Sequence, residues 1–203
     1  MGYFTGAGTT KSSRDSNYVT PGHYIMRIES VRQKLNREDA AIFVIEMLPI
    51  HVIAKDLLED NRQPGTMNGT PTFSNKKGVP CSHLISFTGP GKDMALPNIK
   101  AFAEVLVPGF AEAFGEMAID PDTKEKYDVQ ERTLEGLVEE DGEFAQPLAG
   151  MLVEVIARSI VTQKSKKDFT KITYVQTLDD ADLVRMEIMT QEQYDLLHPA
   201  TDE

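Results

Sequence analysis

The chain has 203 residues, 40% of them hydrophobic and 26% charged, with a net charge of −11 and one cysteine. That length and balance describe a single globular domain with a buried core, and no apolar run approaches the roughly 20 residues of a membrane span. Cys81 alone excludes an intrachain disulfide and a thiolate metal cluster within the chain. His23, His51, His83 and His198 have no HExxH-type spacing, so neither a metal nor another cofactor is expected.

In chain order, residues 1–21 are rich in Gly, Ser and Thr and read as a flexible arm or a loosely docked segment, closed by Pro21-Gly22. They lack the apolar core of a secretory signal, so an intracellular location is expected. From His23, "HYIMRIESVRQK" alternates as a strand, with Tyr24, Met26 and Ile28 on one face and Arg27 and Glu29 on the other. "NRED" turns the chain. "AAIFVIEMLPIHVIAK" is a long, nearly continuous apolar strand, and Pro49 should force a bulge or break in it.

Residues 56–80 are dense in turn formers and read as a long loop or β-arm, followed by the strand "CSHLISFTG" with Cys81 as a buried thiol. "GPGK" lacks the spacing of a phosphate loop. "LPNIKAFAEVL" carries Ile99, Phe102, Val105 and Leu106 at helical spacing, with Pro97 suited to the first turn. "DPDTKEKYDVQE" fails as a calcium loop because lysines occupy ligand positions and glutamate replaces the turn glycine. After Gly150, "MLVEVIARSIV", the polar turn "TQKSKKD" and "FTKITYVQ" make a hairpin, and Thr190 is placed to cap a short helix.

The acidity is concentrated in two blocks. Residues 116–146 hold eleven acidic and three basic residues, and residues 178–203 hold eight acidic residues and one arginine. The rest of the chain holds thirteen acidic and seventeen basic residues, a net +4. The expected organisation is thus an arm (1–21), a mildly basic domain (22–177) with a solvated acidic insertion (116–146), and an acidic tail (178–203).

The order strand, long strand, strand, helix, strand, strand is that of the OB-fold, a five-stranded Greek-key barrel with a helix between its third and fourth strands, and other small β-barrels share it. Such a mainly β domain binds a single strand with cations that track phosphates and flat side chains that accept unstacked bases. The candidates are Arg27, Arg32 and Lys34 on the first strand, Arg158 on the fourth, and Lys164, Lys166, Lys167, Phe169, Lys171 and Tyr174 on the closing hairpin. Phe169 shares a face with Lys171, and Ile172 shares the other with Tyr174.

The pieces "PGHYIMRIESVRQK", "AIFVIEM", "LPNIKAFAEVL" and "PLAGMLVEVIARSIVTQKSKKDFTKITYVQ" resemble bacteriophage-encoded single-stranded-DNA-binding proteins of OB-fold type. The resemblance implies a non-catalytic protein that coats single-stranded DNA in replication or recombination, in the cytoplasm of the host bacterium. It also implies an acidic tail that recruits replication or recombination proteins and competes with DNA. No membrane partner is expected, and the sequence leaves open whether the chain forms a homo-oligomer. The competing reading is a phage structural or assembly β-barrel that oligomerises through its arms. A carboxylate-metal nuclease is disfavoured, because the acidic residues cluster in segments that read as solvent-exposed.

Overall fold

The computed structural model describes residues 18–35, 41–53, 65–67, 70–72, 75–138, 146–161 and 168–199. The strands are β1 (Gly22–Leu35), β2 (Ala41–Val52), β3 (Gly65–Met67), β4 (Thr70–Thr72), β5 (Cys81–Ser86), β6 (Met117–Ile119), β7 (Lys126–Asp128), β8 (Leu152–Val161) and β9 (Asp168–Leu178). The helices are α1 (Ala95–Leu106), α2 (Val129–Gly136), α3 (Asp180–Arg185) and α4 (Gln191–Leu197). None of the described helices is long and apolar enough to cross a membrane.

The protein is mainly β. Its five long strands form one antiparallel sheet in the order β5-β2-β1-β8-β9, while β3–β4 and β6–β7 are separate two-stranded hairpins. One sheet face and α1 make the core. Tyr24, Met26, Ile28 and Val31 of β1 meet Phe43, Ile45 and Met47 of β2, Cys81 and Ile85 of β5, and Val153, Val155 and Ala157 of β8. The helix adds Ile99, Phe102, Ala103 and Leu106, the face that its 3.6-residue spacing predicts. It packs on both β5 and β9, the two edges of the sheet.

Strict alternation along β1 would carry the core face from Tyr24, Met26 and Ile28 on to Arg32 and Lys34. The ladder with β2 avoids this: Ile28 is opposite Met47 and Ser30 is opposite the next residue, Glu46, so Glu29 is an extra residue in β1. This β-bulge exchanges the two faces beyond it. Val31 is consequently buried, and Arg32 and Lys34 project outward. A second shift pairs Ile25 with His51 and Met26 with Pro49, leaving Ile50 unpaired beside the proline as its missing N–H requires.

The start of β1 is tied down by a polar network. Tyr24 donates its hydroxyl to the Thr20 carbonyl (2.9 Å) and accepts from the Asn75 N–H (3.0 Å). Asn75 is itself buried, accepting from the Thr20 N–H (2.9 Å) and donating to the Tyr18 carbonyl (3.0 Å). A Cβ on Gly22 would lie 2.2 Å from the Tyr24 hydroxyl, so the ring can fold back over this position only because glycine occupies it.

The arm and the 56–80 segment take forms that the sequence allows, a docked segment and a β-arm, whereas the acidic insertion differs from expectation. Residues 18–21 of the arm are docked, with Val19 buried and its N–H donated to the Ser82 carbonyl. The expected arm within 56–80 contains the β3–β4 hairpin, although residues 54–64, 68–69 and 73–74 lie outside the described set. The acidic insertion folds as β6–β7 and α2, buries Leu137, and holds Gln130 by a 2.7 Å hydrogen bond to the Phe110 carbonyl; its residues 139–145 lie outside the described set.

The acidic tail is likewise folded through residue 199. Asp179 and Thr190 each form a capping box, on α3 and α4 respectively, and Leu183 is buried. Local caps and one apolar anchor therefore order a segment whose composition alone reads as solvated.

Phe102 is fully buried between Phe43 (centroids 6.2 Å apart) and Tyr174 (4.9 Å), both in edge-to-face contact. Phe102→Ala should cost about 3–5 kcal/mol of unfolding free energy in urea titrations, whereas a cost below about 1 kcal/mol would mean that α1 does not organise the core.

Candidate nucleic-acid interface

The outward face of β1, β2 and β5 is arranged in rungs set by the ladder. Ser30, Glu46 and Ser82 form one rung, Arg32, Val44 and Leu84 the next, and Lys34, Ile42 and Ser86 the third. Arg32 and Lys34 are about half exposed, at 49% and 50% of their side chains. Each places a nitrogen 3.8 Å from a carboxylate oxygen of Glu46, and Ser30 donates its hydroxyl to the same carboxylate at 2.7 Å. Two cations thus share one acid, which leaves an excess positive charge beside the exposed Leu84, with Val44 buried between them.

A second cationic site lies at the other end of the sheet. Arg158 and Lys171 are direct neighbours across the β8–β9 ladder, both are exposed, and neither forms an ion pair among the described residues. Like charges placed directly opposite destabilise a strand pair, so this position favours an anion between them. Gly22 pairs with Ala157, next to Arg158, and Arg32 lies ten residues further along β1. At the usual rise per residue, about 30 Å of strand separates the two cation pairs.

The remaining sequence candidates divide. Arg27 is held by Glu29 at 2.8 Å on β1, between the two cationic sites. Lys164, Lys166 and Lys167 lie outside the described residues. Phe169 is placed in β9 opposite Ile160, and its side chain is outside the described set.

Tyr174 requires a correction. Its side chain is a core residue, 8% exposed, packed edge-on against Phe102, and therefore offers no free face to a base. Alternation in β9 sends Ile172 and Tyr174 inward and Lys171 and Thr173 outward, and burial of the polar ring is tolerated because its hydroxyl is 2.8 Å from His83 Nδ1. The exposed rings among the described residues lie elsewhere: Tyr18 beside β5, Phe87 just beyond it, and Phe114 after α1.

Two features were missed in the sequence. Glu46 was not among the candidates, although it is the one acidic residue of β2 and pairs with the outward Ser30. The His83–Tyr174 contact links β5 to β9, 91 residues apart in the chain, and nothing local announces it. Burial lowers the His83 imidazole to about 4, and burial followed by the proximity of Cys81 pushes the Tyr174 hydroxyl up. Burial also pushes the Cys81 thiol up to about 12, so this is an inert packing residue. A cavity of about 710 Å³ opens between α1 and α2, lined by Phe43, Phe87, Leu96, Ile99, Leu134 and Val138 among others. No protein-family model matches the chain, and no curated protein sequence matches it.

The His83 imidazole predicts an acid limb in stability. Its folded value lies below the ordinary 6.5, so its contribution is fully present above pH 6.5 and is lost as pH falls through about 4. The corresponding loss is on the order of 3 kcal/mol. Urea midpoints measured from pH 7 to pH 4 should fall, and His83→Gln should flatten that limb; an equally steep limb in the variant would assign it to other groups.

Proposed function

We propose that this protein binds single-stranded DNA without sequence preference and catalyses no reaction, through an OB-fold-like barrel. The observation that carries the reading is the outward pair Arg32 and Lys34, turned away from the core by the Glu29 bulge onto a three-stranded face beside the exposed Leu84. The sheet order supports it. Numbered along the chain, the five long strands lie as third, second, first, fourth and fifth, with α1 between the third and fourth. This is an OB-fold order, in which the face of the second and third strands and the neighbouring loops take oligonucleotides.

Arg158 and Lys171 supply a second phosphate contact in this reading. Cations held on a rigid sheet track a backbone and are indifferent to sequence, and the exposed ring of Tyr18 lies beside β5 where a base would unstack. In this reading the protein coats single strands in phage replication or recombination. A subunit of a phage assembly is the second reading. It is favoured by the exposed apolar side chains of Phe114 (79%), Ile119 (60%) and Met117 (57%), and it predicts stable oligomers indifferent to DNA.

The test is fluorescence anisotropy of labelled oligothymidine at several salt concentrations, with duplex as competitor. The proposal predicts binding that weakens with salt and resists duplex. Arg32→Ala with Lys34→Ala should reduce the salt slope by about 0.7, because Glu46 already offsets one of the two cations and the one remaining single-strand phosphate contact is lost. Absence of binding at low salt would overturn the reading in favour of the assembly subunit.

A further inference from the structure

Glu46 stands at the centre of the proposed face and is the wrong charge for it. Its position is nevertheless fixed from three sides. The Ser30 hydroxyl donates to Oε2 at 2.7 Å, Arg32 Nη2 is 3.8 Å from that oxygen, and Lys34 Nζ is 3.8 Å from Oε1. The Ser30 contact is a true hydrogen bond. The two cation contacts exceed hydrogen-bond length, so the guanidinium and the ammonium keep donors available for another anion. Glu46 is on the middle strand of the three, opposite Ser30 on one side and Ser82 on the other, so its backbone cannot withdraw without breaking both ladders.

We infer that Glu46 is a built-in competitor for the phosphate taken by Arg32 and Lys34. This rests on the single-strand reading above and adds the regulation of that site. In the free protein the carboxylate neutralises one of the two cations and holds both side chains over the sheet. A bound phosphate takes the donors that Glu46 leaves unused, while the carboxylate, 3.8 Å from both nitrogens in the free protein, opposes the incoming charge. Exposed ion pairs are individually weak, so the competition sets affinity and does not abolish binding. The effect is to keep the contact reversible, as a protein that must surrender its strand to other proteins requires.

Glu46→Gln removes the charge and keeps an amide oxygen to accept from Ser30. It should tighten binding of labelled oligothymidine about threefold, the scale of one exposed ion pair. It should also steepen the salt slope by about 0.7, one additional single-strand contact. Glu125→Gln changes net charge equally at an exposed position on the β6–β7 turn and should leave both quantities unchanged. Binding by the wild type with identical behaviour of E46Q and E125Q would overturn the role of Glu46 and leave the single-strand reading intact. Absence of binding by wild type, E46Q and E125Q at every salt concentration would overturn both.

Discussion

The alternation of β1 is the constraint on which the rest of the structure depends. A 14-residue strand at the centre of the sheet must supply core side chains to β2 and β8 and also carry Arg27, Arg32 and Lys34. With a strict two-residue period the face that buries Tyr24, Met26 and Ile28 would bury two cations next, and an unpaired buried charge costs several kcal/mol. One unpaired residue, Glu29, resolves the conflict. The strand packs Val31 inside and puts Arg32 and Lys34 on the outer face, so a single bulge serves both folding and the proposed binding surface.

The outer face is useful only if the sheet beneath it holds its curvature. The described residues show no ladder between the edge strands β5 and β9. Side chains make the link: α1 packs on both edges, Phe102 contacts Phe43 and Tyr174, and Tyr174 reaches His83. The ring that sequence reasoning offered to a base therefore does a different job. It fastens the fifth strand to the third through an aromatic contact and a part-buried hydrogen bond, and it does so where burial keeps the imidazole neutral at ordinary pH.

Much of this was legible in the sequence. Apolar alternation located the long strands, Pro49 announced the irregularity now seen at Ile50, the spacing of Ile99, Phe102 and Leu106 gave the inward face of α1, and Thr190 signalled a helix cap. The Glu29 bulge was not legible, because a glutamate is acceptable on either side of that shift and only pairing with β2 reveals it. Tyr174 was misread because its partner His83 is distant in sequence. The acidic blocks read as solvated because their composition is polar, whereas a few local contacts, the capping boxes of α3 and α4 and the burial of Leu137 and Leu183, are enough to order them. Of the candidate site, the cation pairs were visible as residue types, but their separation into two groups and the carboxylate between Arg32 and Lys34 were set by register.

The most direct test of the account is to map oligothymidine onto the backbone amides by nuclear magnetic resonance titration. The account predicts that the largest shift changes fall on residues 30–34, 44–46 and 82–86, with a second group around Arg158 and Lys171, and that α3 and α4 are little affected. Changes confined to α1, α2 and the cavity between them, with the β1–β2–β5 face silent, would contradict it.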